Sequence, residues 1–140
     1  MGKINLKGVI IGGLVAGVVL NVFDYVLFGV VLRNDMAAAM QALNQPPMAD
    51  SVIPWYVFLD FLFGIFLVWV YAAIRPRYGA GPATAVKAGL IAWVAFNVFH
   101  ALFEWPAAMM PHNMMVTVAL VALVKQPLAA VVGAKLYTEM

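Results

Sequence analysis

Residues 5–32 read NLKGVIIGGLVAGVVLNVFDYVLFGVVL. Beyond Lys7, Asp24 is the one formal charge in that stretch. A hydrocarbon core about 30 Å thick takes about 20 helical residues, so these residues are long enough to cross it. They exceed the core of a signal peptide, and no small-residue cleavage pattern follows them, so they are expected to form a retained helix. Three further apolar runs, about 52–74, 84–105 and 113–137, have the same character. None alternates apolar and polar residues between regular turn signals, as barrel strands do. The fold class expected is all-α: a polytopic membrane protein, a single four-helix transmembrane domain over residues 1–140.

Composition points the same way. Of the 140 residues 66% are hydrophobic and 10% charged, and the mean hydropathy is +0.97. A soluble domain of this size has too little interior to hide so much apolar surface, which places the chain in the membrane class. With no cysteine, disulfides, thiolate metal sites and thiol nucleophiles are excluded.

The basic residues give an orientation. Lys3 and Lys7 precede the first run, Arg75, Arg77 and Lys87 flank the turn between the second and third, and Lys135 ends the fourth. All lie on one side when both termini are cytoplasmic, as the positive-inside pattern requires. Arg33 falls on the other side and Lys125 inside a helix. Trp55, Tyr56, Trp69, Tyr71 and Trp105 stand at the run ends, where interface anchors belong. The short connections predict an up-down-up-down bundle, N-in and C-in. The basic residues need no other cause, and no nucleic-acid partner is expected. In the longest outer loop, NDMAAAMQAL (34–43) predicts a short surface helix over about 35–43. Asn34 or Asp35 is its expected cap, with Met36, Met40 and Leu43 on one face against lipid or bundle.

Charges in hydrocarbon cost about 2.5–3.5 kcal/mol each on insertion scales and mark functional candidates. Asp24, Asp60, His100 and Lys125 are such residues, accompanied by Asn21, Asn97 and Gln126, with Glu104 nearer the outer surface. At 1.5 Å per residue, Asp24, Asp60 and Asn97 each lie about 12 Å below the outer boundary. Lys125 starts about 18 Å down, but its stem leans outward and can lift the ammonium to that layer. One polar cluster in the outer half of the bundle is expected. Asn97, His100 and Glu104 share a face and would connect it to the outer water. Pro127 frees the carbonyl of Leu123 nearby. Gly8, Gly12, Gly13 and Gly17, with Ala129, Ala130, Gly133 and Ala134, make the inner half a place of close helix approach. The glycine face of helix one is also an expected homodimer surface.

An internal echo accompanies these positions. NVFD at 21–24 resembles NVFH at 97–100, and Gly13 and Ala16 match Gly89 and Ala92 at the same offset. This reads as a parallel repeat of two hairpins, against coincidence in so biased a composition.

Two aspartates against one lysine leave an excess negative charge at depth. Either an acid there holds a proton, or a cation or substrate balances it. The function expected is non-enzymatic: an outward-facing pocket for a small ligand, ion or proton, serving transport, sensing or an accessory role. Asp24 and Asp60 would be its acids, Lys125 the counter-charge, and Asn21 and Asn97 the orienting amides, with Gln126 among the residues that bind the ligand. That reading requires no cofactor. The competing reading is a structural or assembly subunit whose polar residues lock helix packing. A third is copper or haem binding. His100 and Glu104 can ligate one ion, with Asp24 or Asp60 adding oxygen, and above them lies MMPHNMM (109–115). The thioethers of Met109, Met110, Met114 and Met115 with the His112 imidazole suit Cu(I), though methionine also fills apolar edges. Haem would use His100 and, for bis-histidine ligation, His112 or a second protomer. No HExxH, G-x-S-x-G or phosphate loop appears, so no catalytic residue is assigned.

GGLVAGVVLNVFDYVLFGVVL (12–32), MAAAMQAL (36–43) and KAGLIAWVAFNVFHALFEWP (87–106) together resemble small bacterial integral membrane proteins that carry a domain of unknown function. The resemblance is one of pattern over nearly the whole chain. It implies a four-helix, multi-pass protein of the bacterial inner membrane and brings no activity, cofactor or site residues.

Overall fold

The computed structural model describes residues 2–140, and its regular structure is helical throughout. Helix α1 runs Leu6–Val31 and α2 Arg33–Ala42; α3 spans Ile53–Tyr78, α4 Pro82–Glu104 and α5 His112–Ala134. All but α2 are long and apolar enough to cross a membrane. Their boundaries follow from local chemistry. Asn5 caps α1, its Oδ1 accepting from the Gly8 amide at 3.0 Å, which serves one of the orphan donors of the first turn. Pro54 and Pro82 stand in the first turns of α3 and α4, where their missing N–H is not needed. Gly79 (φ +83°) and Gly81 (φ +127°) turn the chain between those helices, in a region side chains rarely enter. Pro127 lies inside α5 without ending it.

Two helices contain a π turn: Leu27–Val31 at the end of α1 and Val94–Val98 in the middle of α4. The first changes the expectation for α2. The Leu32 amide donates to the Leu27 carbonyl at 2.7 Å and the Met36 amide to Leu32 at 2.8 Å. The chain thus passes from α1 into α2 with backbone bonds throughout, and neither Asn34 nor Asp35 caps α2. Asp35 lies instead in its first turn, where a negative charge suits the helix dipole. Met36 packs against an apolar cluster of Leu27, Leu32 and Met114.

The long helices pack antiparallel. Gly13 of α1 lies on Ile65 of α3 and Gly17 on Phe61, while Gly12 meets Gly133 of α5 and Gly89 of α4 meets Pro127 of α5. A Cβ at Gly12 would stand 2.5 Å from the Gly133 carbonyl oxygen and one at Gly17 2.6 Å from the Phe61 ring, so only glycine permits these approaches. The glycine face of α1 thus packs inside the monomer against α3 and α5. The core at this end comprises Val9, Ala16, Leu20, Leu67, Val68 and their neighbours.

The chain termini meet here as well. Asn5 Nδ2 donates to the Thr138 carbonyl at 2.9 Å, and the Asn5 amide donates to the Tyr137 hydroxyl at 3.2 Å. The Arg75 guanidinium lies 5.5 Å from the Tyr137 ring centroid, and Lys87 Nζ 5.2 Å from that of Tyr78. The basic residues Lys3, Lys7, Arg75, Arg77, Lys87 and Lys135 are thereby gathered at one end of the bundle.

Candidate functional site

The opposite half holds the polar residues. Lys125 occupies the turn of α5 before Pro127, and its Nζ donates to Asp24 Oδ1 of α1 at 2.6 Å. The two side chains are 13% and 22% exposed, so the pair is largely enclosed. Asp60 joins it from α3. Its neighbour Phe61 packs on Gly17, and three residues earlier the Val57 carbonyl accepts from Asn21 Nδ2 at 3.4 Å. Asp60 is half-buried and within electrostatic reach of both Asp24 and Lys125. Asn21 spends its amide N–H groups on carbonyls, the second being Gly17 at 2.9 Å. Its oxygen is left as an acceptor.

Gln126 points elsewhere. Successive residues of a helix are about 100° apart, so while Lys125 faces α1, Gln126 faces α4. Its Nε2 donates to Asn97 Oδ1 at 2.6 Å. Gln126 is 3% exposed, and its Oε1 is buried with no partner among the described residues. The structure therefore resolves the expected single cluster into two adjoining groups. Asp24, Asp60, Lys125 and Asn21 tie α1, α3 and α5 together, and Asn97 with Gln126 ties α4 to α5.

The expected ladder from Asn97 to Glu104 is divided too. Asn97 belongs to the π turn of α4, and the α-helical turn resumes at Phe99. The inserted residue of a π turn offsets the faces on either side of it. Asn97 is bonded to Gln126, whereas His100 is 68% exposed with Nε2 3.0 Å from Glu104 Oε2, although both residues border the same small cavity. Glu104 does more than its spacing announced. It is only 16% exposed, and its other oxygen, Oε1, accepts from the Met110 amide at 3.0 Å. One carboxylate thus fixes both the imidazole of α4 and the loop that follows.

The five residues of MMPHNMM expected to ligate copper go to different places. His112 begins α5 and stacks on Trp105, with ring centroids 3.9 Å apart and planes 3° from parallel. Its Nε2 donates to the Trp105 carbonyl at 3.0 Å. Met114 is in the apolar cluster with Leu27 and Leu32, and Met110 packs against that cluster. Met115 is buried and Met109 exposed. Among the described residues no three His, Asp or Glu side chains converge, so the site expected from His100, Glu104 and an aspartate is not assembled.

Two hollows matter for what the polar half can hold. An open groove of about 490 Å³ runs over α2, lined by Asn34, Ala37, Ala38, Gln41, Gln45 and Pro47, and none of Asp24, Asp60 or Lys125 lines it. A small, partly open cavity of about 70 Å³ lies among Asn97, His100, Met110 and Met115, with Ala101, Val118 and Ala119 completing its lining. Sites for organic ligands run to about 300–1,000 Å³, so the inner cavity has room for an ion or a few waters and for nothing larger.

The class these features define is an all-α bundle with four helices of membrane-crossing length and apolarity and a polar half of its own. Comparisons with protein-family models, with curated proteins and with solved structures found no match to this chain.

Proposed function

We propose that this chain is a small multi-pass protein of a bacterial inner membrane, with both termini cytoplasmic, that takes up a proton or small cation at Asp60. The orientation rests on the six basic residues collected at the end where the termini meet. The site reading rests on one observation: Lys125 Nζ is bonded to Asp24 Oδ1 at 2.6 Å with Asp60 within electrostatic reach of both, so one lysine stands against two carboxylates. A carboxylate enclosed among helices must be balanced.

The test is exchange in proteoliposomes. Addition of sodium or potassium, or a pH jump, is expected to change proton uptake by the wild-type protein, read with a pH indicator. Asp60→Asn is expected to abolish that response while circular dichroism and the melting temperature stay close to wild type. A second reading is favoured by the enclosure of the Lys125–Asp24 pair, which joins helices far apart in sequence: the polar residues lock packing and bind nothing. It holds if Asp24→Asn, Asp60→Asn and Lys125→Met alter melting alone, with no exchange in any protein, wild type included.

A further inference from the structure

We infer that the cavity between α4 and α5 is a soft-metal site in which His100, Met110 and Met115 bind one Cu(I) ion, with Glu104 as the positioning residue. The site is separate from the Asp24–Lys125 pair and stands or falls apart from it. Three observations carry it. First, His100, Met110 and Met115 border one small cavity, with Asn97 the remaining polar residue of its lining, so one imidazole and two thioethers belong to residues gathered around a single space. Thioether sulfur favours Cu(I), and imidazole suits it as well, whereas magnesium and calcium demand an oxygen set that this lining lacks. Second, His100 is arranged as metal-bound histidines are. Its Nε2 donates to Glu104 Oε2 at 3.0 Å, which fixes the tautomer and leaves Nδ1 as the free lone pair. Third, the same carboxylate accepts from the Met110 amide at 3.0 Å, so the group that orients the imidazole also holds the loop that supplies a sulfur. His100 is mostly exposed while Met115 is 4% exposed, which gives the cavity an outer wall through which an ion can enter and an inner wall that can retain it.

This ligand set differs from the one the sequence motif offered. His112 is engaged with Trp105, Met109 is exposed and Met114 serves the apolar cluster, and none of them lines the cavity.

The experiment is Cu(I) titration of the purified full chain under ascorbate, in competition with a chromophoric Cu(I) chelator. One equivalent is expected to bind. Met110→Leu and Met115→Leu each conserve volume and are expected to weaken binding at least as much as Glu104→Gln, for which loss of an orienting partner predicts about 10- to 100-fold. Met109→Leu and His112→Phe are expected to leave the affinity unchanged. X-ray absorption at the copper edge of the wild-type protein, which needs no variant to fold, is expected to find both sulfur and nitrogen neighbours. The inference is overturned if no Cu(I) binds, if the Met110→Leu/Met115→Leu double variant binds as tightly as wild type, if His112→Phe alone abolishes binding, or if the absorption spectrum contains no sulfur.

Discussion

Near the chain termini α1 meets α3 through Gly13, Gly17 and Gly64, backbone against backbone. Two turns further along, the same helices meet through Asn21 and the Val57 carbonyl, with Asp60 within the same stretch of α3 and Asp24 a turn beyond on α1. In lipid, apolar surface gains nothing by moving from tails to a neighbouring helix, so helices associate through close packing or polar bonds. This chain uses the first means at one end and the second at the other. Close packing admits one arrangement and leaves no slack. Side-chain bonds can exchange partners, and they reach into the bundle where an ion or proton can join them. The difference teaches where each function can reside: the glycine half holds the helices and the polar half is free to respond.

The sharpest way to break this comparison is to add atoms to the glycine half. A Cβ at Gly64 would overlap the Gly13 carbonyl oxygen and the Gly17 backbone nitrogen. Neither is a flexible side-chain end that can step aside. Gly64→Leu is therefore expected to exceed the ~1–3 kcal/mol usual for overpacking and to prevent α1 and α3 from pairing. Far less folded protein should survive detergent extraction and size-exclusion chromatography. A folded variant with wild-type melting would show that the glycine contacts do not set the fold.

The polar half is expected to respond more mildly and with a definite sign. Lys125→Met leaves Asp24 and Asp60 without their shared cation, and removing one partner of an enclosed ion pair costs about 3–5 kcal/mol. The triple variant Asp24→Asn/Asp60→Asn/Lys125→Met removes both signs of charge together. It should recover most of that loss in reversible unfolding in mixed micelles. If the single and triple variants are equally unstable, it is the lysine stem, and not the charge balance, that holds α1 to α5.

How far the sequence discloses each half depends on the kind of signal involved. All-α architecture and four crossing-length helices are read from runs of apolar residues, because length alone meets the demand of a hydrocarbon core. The glycine contacts are half legible: spacing marks residues that permit close approach but cannot say whether a helix of the same chain or a second copy makes it. The echo of NVFD and NVFH shows the same limit. Gly13 faces α3 and Gly89 faces α5, each the next long helix, and Asn21 and Asn97 likewise reach into α3 and α5. The fourth positions part company, since Asp24 pairs with Lys125 while His100 turns out to Glu104. The π turn at Val94–Val98 lies across that point in α4 and has no equivalent at that place in α1. No periodicity rule detects an added residue in a helix that is apolar on most sides. Nor does spacing reveal that a glutamate will use its second oxygen on the Met110 amide, because that bond depends on how the loop returns.

The smallest expected effect concerns Gln126, where the two kinds of packing adjoin. Pro127 beside it is pressed against Gly89, as in the glycine half, while its own amide belongs to the polar half. Gln126→Leu loses one interhelical hydrogen bond, worth about 0.6 kcal/mol on average between membrane helices. It also removes a buried oxygen that has no partner, and such an atom costs about 1–3 kcal/mol. The second term outweighs the first, so the variant should melt at the same temperature as wild type or slightly above it. A fall of several degrees would mean that Oε1 is bonded in the working protein, to a water or an ion drawn into the polar half. Repeating the melt with and without added cation separates those two partners. A cation-dependent gap between wild type and Gln126→Leu would extend the ion site proposed at Asp60 across α5 to the face it shares with α4.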